Sequence, residues 1–160
     1  MSIENHPYLN QGIINDSKGL ILGSFPVWQC TSPDSKEKAE KREKTGSHRF
    51  FYGSSQNLFW KLYSKYLSPL NNNYTKQNIL DSLTKEKISI SDLIVSASRN
   101  PAKSSLDNSL KQKTYNIDGI HSLIKNGVCR ILCTSKGVLD DLEKILISSK
   151  KMNTKINKYK

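Results

Sequence analysis

The sequence predicts an α/β fold, three layers α/β/α around a short, mostly parallel sheet, and three observations carry that expectation. Short apolar runs alternate with amphipathic segments in the order strand, helix, strand, helix, strand, helix. Such alternation requires crossover connections, and these make neighbouring strands parallel. The first run stops at a glycine, as a strand buried on both faces and closed by a tight turn should. Finally, 160 residues suit one domain, expected over residues 1–149, in which roughly two thirds of the unfolded surface is buried.

Taken in order, Gly19 to Leu22 is apolar and ends at Gly23, giving the first strand. Between Cys30 and Phe50 the only apolar residue is Ala39. Residues 30–49 are therefore expected to form a flexible polar excursion. From Gln56 to Leu67 the residues Leu58, Phe59, Leu62, Tyr63, Tyr66 and Leu67 recur at helical spacing, with Ser54 or Ser55 as the cap. Pro69 and the run Asn71 to Asn73 end that helix in a loop. Ile88, Ile90, Leu93, Ile94 and Val95 predict a second strand, followed by a polar loop from Ser96 to Asn108. A helix over Tyr115 to Asn126, stopped by Gly127, leads to a strand over Val128 to Cys133. Ser135 then caps a last helix carrying Val138, Leu139, Leu142, Ile145 and Leu146. Residues 150–160 hold five lysines and no acid, which reads as a mobile basic tail.

With 36% hydrophobic residues and no apolar run near the roughly 20 residues a bilayer demands, no membrane partner is expected. The start MSIENHPYLN has neither a basic opening nor an apolar stretch, so a cytoplasmic location is expected. Cys30, Cys129 and Cys133 match no zinc spacing and suit a reducing compartment. No metal is expected, and no phosphate-cradling glycine motif supports a nucleotide cofactor. The net charge of +11 points to phosphate backbones, with DNA first. Only Arg42, Arg49, Arg99 and Arg130 are arginines, so a Lys-rich solvated surface is the competing reading. A monomer is expected.

Ligands of parallel α/β folds bind beyond the carboxyl ends of the strands. That rule selects the loops Gly23 to Trp28, Ser96 to Asn108 and Thr134 to Lys136. The first reads GSFPVW. The segment FFYGSSQNLFW, Phe50 to Trp60, adds aromatics, a Gly-Ser-Ser turn and an Asn at a helix opening. A buried strand ending in G-S-F-P, a polar spacer and F-Y-G-x-x-x-N-x-F-W resembles the uracil-DNA glycosylase superfamily, nearest to its mismatch-specific and hypoxanthine-type branches. Ile88 to Leu110, ISISDLIVSASRNPAKSSLDNSL, is similar to that group's second strand and following loop. The resemblance spans roughly residues 18–135.

The resemblance implies hydrolysis of the N-glycosidic bond of a deaminated base, uracil or hypoxanthine, in base excision repair, without a cofactor. Such an enzyme must extrude a base, hold its flat face, read its edge and admit water to the sugar carbon. By resemblance Tyr52 covers the flipped base; as an aromatic beside Phe50 and Phe51 it also suits a core position. The backbone of Gly23, Ser24 and Phe25 is expected to meet the base edge or the attacking water. The family's first motif often carries Asp or Asn where this chain has Phe25. In the hypoxanthine branch the Asn of Asn-x-Phe-Trp takes over, which makes Asn57 the expected catalytic residue; a helix cap is the alternative for it. Ser98, with Arg99 and Asn100, is expected to approach the pocket or a phosphate. The family's later motif, on a loop that enters the minor groove, has no counterpart after Ile147. A relative that binds nucleic acid through charge alone is therefore the alternative function.

Overall fold

The computed structural model describes residues 2–31, 49–54, 57–70, 74–104 and 106–148. In chain order its elements are β1 (Glu4–Asn5), β2 (Gly19–Gly23), α1 (Trp28–Thr31), α2 (Phe59–Tyr66), α3 (Lys76–Glu86), β3 (Ile88–Asp92), β4 (Ile94–Arg99), β5 (Leu110–Tyr115), α4 (Ile117–Lys125), β6 (Arg130–Cys133) and α5 (Lys136–Ser148), with a 3-10 turn at Asp107–Ser109 before β5. The chain is mixed α/β, but its strands form two small sheets and not one mostly parallel sheet. β3, β2 and β6 pair in parallel, whereas β1, β4 and β5 pair antiparallel.

β2 is the centre of the parallel sheet, in register with β3 from Gly19↔Ile88 to Gly23↔Asp92 and with β6 from Gly19↔Arg130 to Leu22↔Cys133. Successive residues of a strand face opposite ways. Leu20 and Leu22 accordingly join a core with Ile120 and Leu123 of α4 and Val138, Leu142 and Ile145 of α5. Ile21 turns to a second core with Trp60 and Tyr63 of α2 and Ile79 and Leu83 of α3. Helices thus pack against both faces of β2. Phe25, Leu93, Ile94, Ala97 and Leu110 extend the first core beneath the antiparallel sheet and tie the two sheets together.

The run Ile88 to Val95, expected as one strand, is divided at Leu93. Asp92 ends the parallel ladder, and the Leu93 and Ile94 N–H groups donate to the carbonyls of Gly23 and Ser24 at 2.8 and 3.1 Å. The chain then enters the other sheet, where Ile94 pairs with Tyr115 and Arg99 with Leu110. Residues 96–99, expected as loop, are the second half of β4. Ser98 and Arg99 are buried there because each is bonded: Ser98 Oγ donates to Gln112 Oε1 at 3.1 Å, and Arg99 is held on three sides. β5, LKQKTY, buries Leu110 and leaves its other residues half-buried or exposed, which suits an antiparallel strand wetted on one face.

Three helices follow their expected patterns, α2 and α4 with shorter ends. α2 begins at Phe59 and not at residue 56, and residues 55 and 56 lie outside the described residues. α4 is bounded as anticipated by Gly127, whose φ of 110° only glycine adopts without strain. At α5 the Ser135 Oγ accepts the Val138 N–H at 3.3 Å, the anticipated cap. α3 has no counterpart in the sequence expectation. Thr75 caps it by accepting the Asn78 N–H at 3.2 Å, and Lys87 closes it in the left-handed region. Most of the polar excursion, residues 32–48, and the basic tail lie outside the described residues.

Candidate functional site

Where the parallel strands end, Gly23 of β2 lies beside Asp92 of β3, and Thr134 follows β6. This is the edge at which parallel α/β sheets bind ligands. A Cβ built on Gly23 would fall on Asp92 Oδ1 and on the Tyr52 hydroxyl. Glycine is therefore the residue that lets the GSFP turn, the Asp92 carboxylate and Tyr52 converge on one point. The two sequence stretches of the glycosylase resemblance meet there.

Tyr52 occupies the left-handed region at φ 53°, a conformation that costs a non-glycine residue about 1–3 kcal/mol. Its ring stacks on Phe59 of α2, with centroids 4.4 Å apart and planes at 25°. Its hydroxyl donates to Thr134 Oγ1 at 3.0 Å, and that hydroxyl in turn donates to the Leu22 carbonyl at 3.3 Å. Burial, reinforced by the nearby Asp92 charge, pushes the Tyr52 hydroxyl well above the usual phenol range. It stays protonated and acts as a donor.

Behind Gly23, Asp92 Oδ2 lies 2.9 Å from His6 Nε2, with the two side chains only 7% and 1% exposed. The Tyr8 backbone N–H donates to His6 Nδ1 at 3.0 Å. That bond makes Nδ1 the acceptor, so Nε2 carries the proton and donates to Asp92. The imidazole is packed edge-on to Phe25 and Tyr8 and tilted against Phe51, which leaves its ring little freedom. Burial raises the Asp92 pKa above the ordinary carboxylate value; the His6 hydrogen bond opposes the shift and Asp107 adds to it. Asp107, on the 3-10 turn, accepts the Ser24 hydroxyl at 2.8 Å. A second carboxylate therefore joins the same rim.

Phe25 sends its side chain into the core, between His6 and the Arg99 guanidinium, 5.5 Å from its ring. Arg99 bonds Glu4 Oε2 at 3.0 Å, the Ser104 carbonyl at 2.9 Å and the Pro26 carbonyl at 2.5 Å. It braces the GSFP turn from beneath.

Of the sequence-derived residues, Gly23 and Tyr52 meet at this sheet edge and Ser24 reaches Asp107 beside it, whereas the Phe25 side chain is buried in the core. Asn57 is exposed at the start of α2, where its Oδ1 accepts the Phe59 N–H at 2.8 Å. It holds the helix start two residues from the ring that backs Tyr52. Ser98 is buried in β4 and bonded to Gln112, among the groups of the antiparallel sheet. Sequence reasoning named none of Asp92, His6, Asp107 and Thr134 as site residues, although its selected loops held Asp107 and Thr134. Asp92 carried a signal, being the one acid inside an apolar run, where an unpaired charge is rarely buried. His6 carried none. Among the described residues no group of three or more His, Cys, Asp or Glu side chains is arranged to hold a metal, and no helix is long and apolar enough to cross a membrane. No protein-family model, curated protein or solved structure matches the chain.

Proposed function

We propose that the protein is a DNA glycosylase of the uracil-DNA glycosylase type, in a three-layer α/β/α arrangement, acting as a cytoplasmic monomer in base excision repair. It hydrolyses the bond between a deaminated base, uracil or hypoxanthine, and its sugar. One observation carries the reading: Tyr52 and the Gly23 turn, about thirty residues apart in sequence, meet at the carboxyl edge of the parallel strands. A flat ring beside a strand-end turn is what an extruded base requires, and stacking contributes about 1–3 kcal/mol per base. In this reading the backbone of Gly23, Ser24 and Phe25 reads the base edge. The Asn57 amide, at the positive end of α2, meets water or the departing base. Ser98 acts indirectly, by holding β4. The net charge of +11 supplies phosphate attraction.

The test is incubation with oligonucleotides carrying uracil or hypoxanthine, followed by alkali. Strand cleavage at the lesion by wild type, and its loss in Tyr52→Ala, is the expected result. No cleavage at any lesion rejects the reading, and unchanged cleavage by Asn57→Ala rejects that residue's role alone. The Asn57 bond to the helix start favours a second reading, a relative that binds nucleic acid through charge without excising a base. That relative would bind damaged and undamaged duplexes alike, with a steep salt dependence.

A further inference from the structure

We propose that Asp92, positioned by His6, is the catalytic carboxylate of this sheet edge, taking the proton of the attacking water and facing the cationic sugar as the base departs. This deepens the glycosylase reading and rests on it. The placement comes first. Asp92 ends β3 beside Gly23, with Oδ2 anchored on His6 Nε2 and Oδ1 on the side where Gly23 and Tyr52 meet. One oxygen is fixed on His6 and the other lies against Gly23 and near the Tyr52 hydroxyl, at the carboxyl ends of the parallel strands.

The chemistry of its partners is the second argument. A buried carboxylate is ordinarily matched to Arg or Lys, since an unmatched one is expensive to desolvate. Asp92 bonds the His6 imidazole, while the buried Arg99 is committed to Glu4. The nearest further acid is Asp107, whose like charge adds to the difficulty. An asparagine would accept the same His6 hydrogen bond without that penalty. A charged group retained at such a place fits one that is used.

The reaction balances around it. The C1′–N bond breaks, and its electron pair leaves with the base. A water oxygen forms a bond to C1′ and gives one proton to Asp92 Oδ1. That proton passes to the base nitrogen or to solvent, leaving a free base and an abasic sugar with a C1′ hydroxyl. The carboxylate stabilises the oxocarbenium-like sugar during the step, as paired carboxylates do in glycoside hydrolysis. Phe25 stands where the family's first motif carries an acid or amide, so Asp92 supplies from the neighbouring strand what that position lacks.

The groups facing Asp92 are His6 on the N-terminal segment, Tyr52 on the turn before α2 and Asp107 on the 3-10 turn. Activity should therefore fall on the acid side as Asp92 protonates. Removing the His6 donor in His6→Ala should move that limb to higher pH, because the bond favours the carboxylate form.

Single-turnover excision is measured against pH for wild type, Asp92→Asn and His6→Ala, alongside thermal unfolding of each. Asp92→Asn should lose about 100-fold or more in rate while unfolding at the same or a higher temperature. A rate within a few-fold of wild type, or a lowered unfolding temperature with the acid limb intact, overturns the proposal and leaves the glycosylase reading standing. If wild type excises no base, that reading falls, and binding decides the role of Asp92. Wild type should bind a duplex with a cationic pyrrolidine at the lesion about tenfold tighter than one with neutral tetrahydrofuran, a preference absent from Asp92→Asn. Equal binding of the two by wild type overturns the proposal.

Discussion

At Gly23 a hydrogen atom stands where any side chain would collide with Asp92 and Tyr52. Gly23→Ala drives a methyl group into Asp92 and Tyr52, neither of which can retreat, because Asp92 is tied to His6 and Tyr52 to Thr134. Overpacking of this kind costs about 1–3 kcal/mol. The expected outcome is a lower denaturant midpoint at unchanged slope, with lesion binding lost as well. The Asp92 carboxyl makes a separate prediction in pH. Its folded pKa lies above the unfolded value, near 4 for a free carboxyl. Its contribution to stability is then fully present below the unfolded pKa and is lost as pH rises through the folded one. Asp92→Asn should unfold at a higher temperature than wild type at pH 7, and the gap should close as pH falls below 4, read by calorimetry across that range. How legible were these residues in the sequence? Gly23 and Tyr52 stood in recognisable turns. The Asp92–His6 pair joins positions 86 residues apart, and only the fold brings them together.

Elements differ in how much of their cause is local. β2 was readable because it is buried on both faces and so apolar throughout, and α5 because its cap and its apolar spacing agree. β4 and β5 were hidden for the opposite reason. Ser98 and Arg99 look like loop residues until Gln112, Glu4, Ser104 and Pro26 supply their bonds. α3 buries only Ile79, Ser82 and Leu83, too thin a stripe to stand out among its polar residues. Its start rests on Thr75, so Thr75→Ala should lower stability by about 1 kcal/mol. Arg99→Ala should do far more, because it leaves the Glu4 carboxylate without its partner beneath the GSFP turn. Breaking such a pair costs about 3–5 kcal/mol, measurable by urea unfolding. Leu142→Ala, in the core shared by β2 and α5, should cost about 2–5 kcal/mol by the same method.

On the scale of the molecule, two cores divided by β2 and a second sheet fastened to one of them hold the carboxyl edge of the parallel strands in place. The acidic rim of Asp92 and Asp107 sits within a chain of net charge +11. Positive charge elsewhere would gather DNA, while the local acids would meet a sugar that turns cationic only during reaction. The measurement bearing most directly on that picture is detection of the released base by mass spectrometry, after incubating wild type with duplexes containing uracil or hypoxanthine. Free uracil or hypoxanthine, with a matching abasic site and none from Tyr52→Ala, is the result predicted. Intact duplexes, bound equally with and without the lesion, would contradict it.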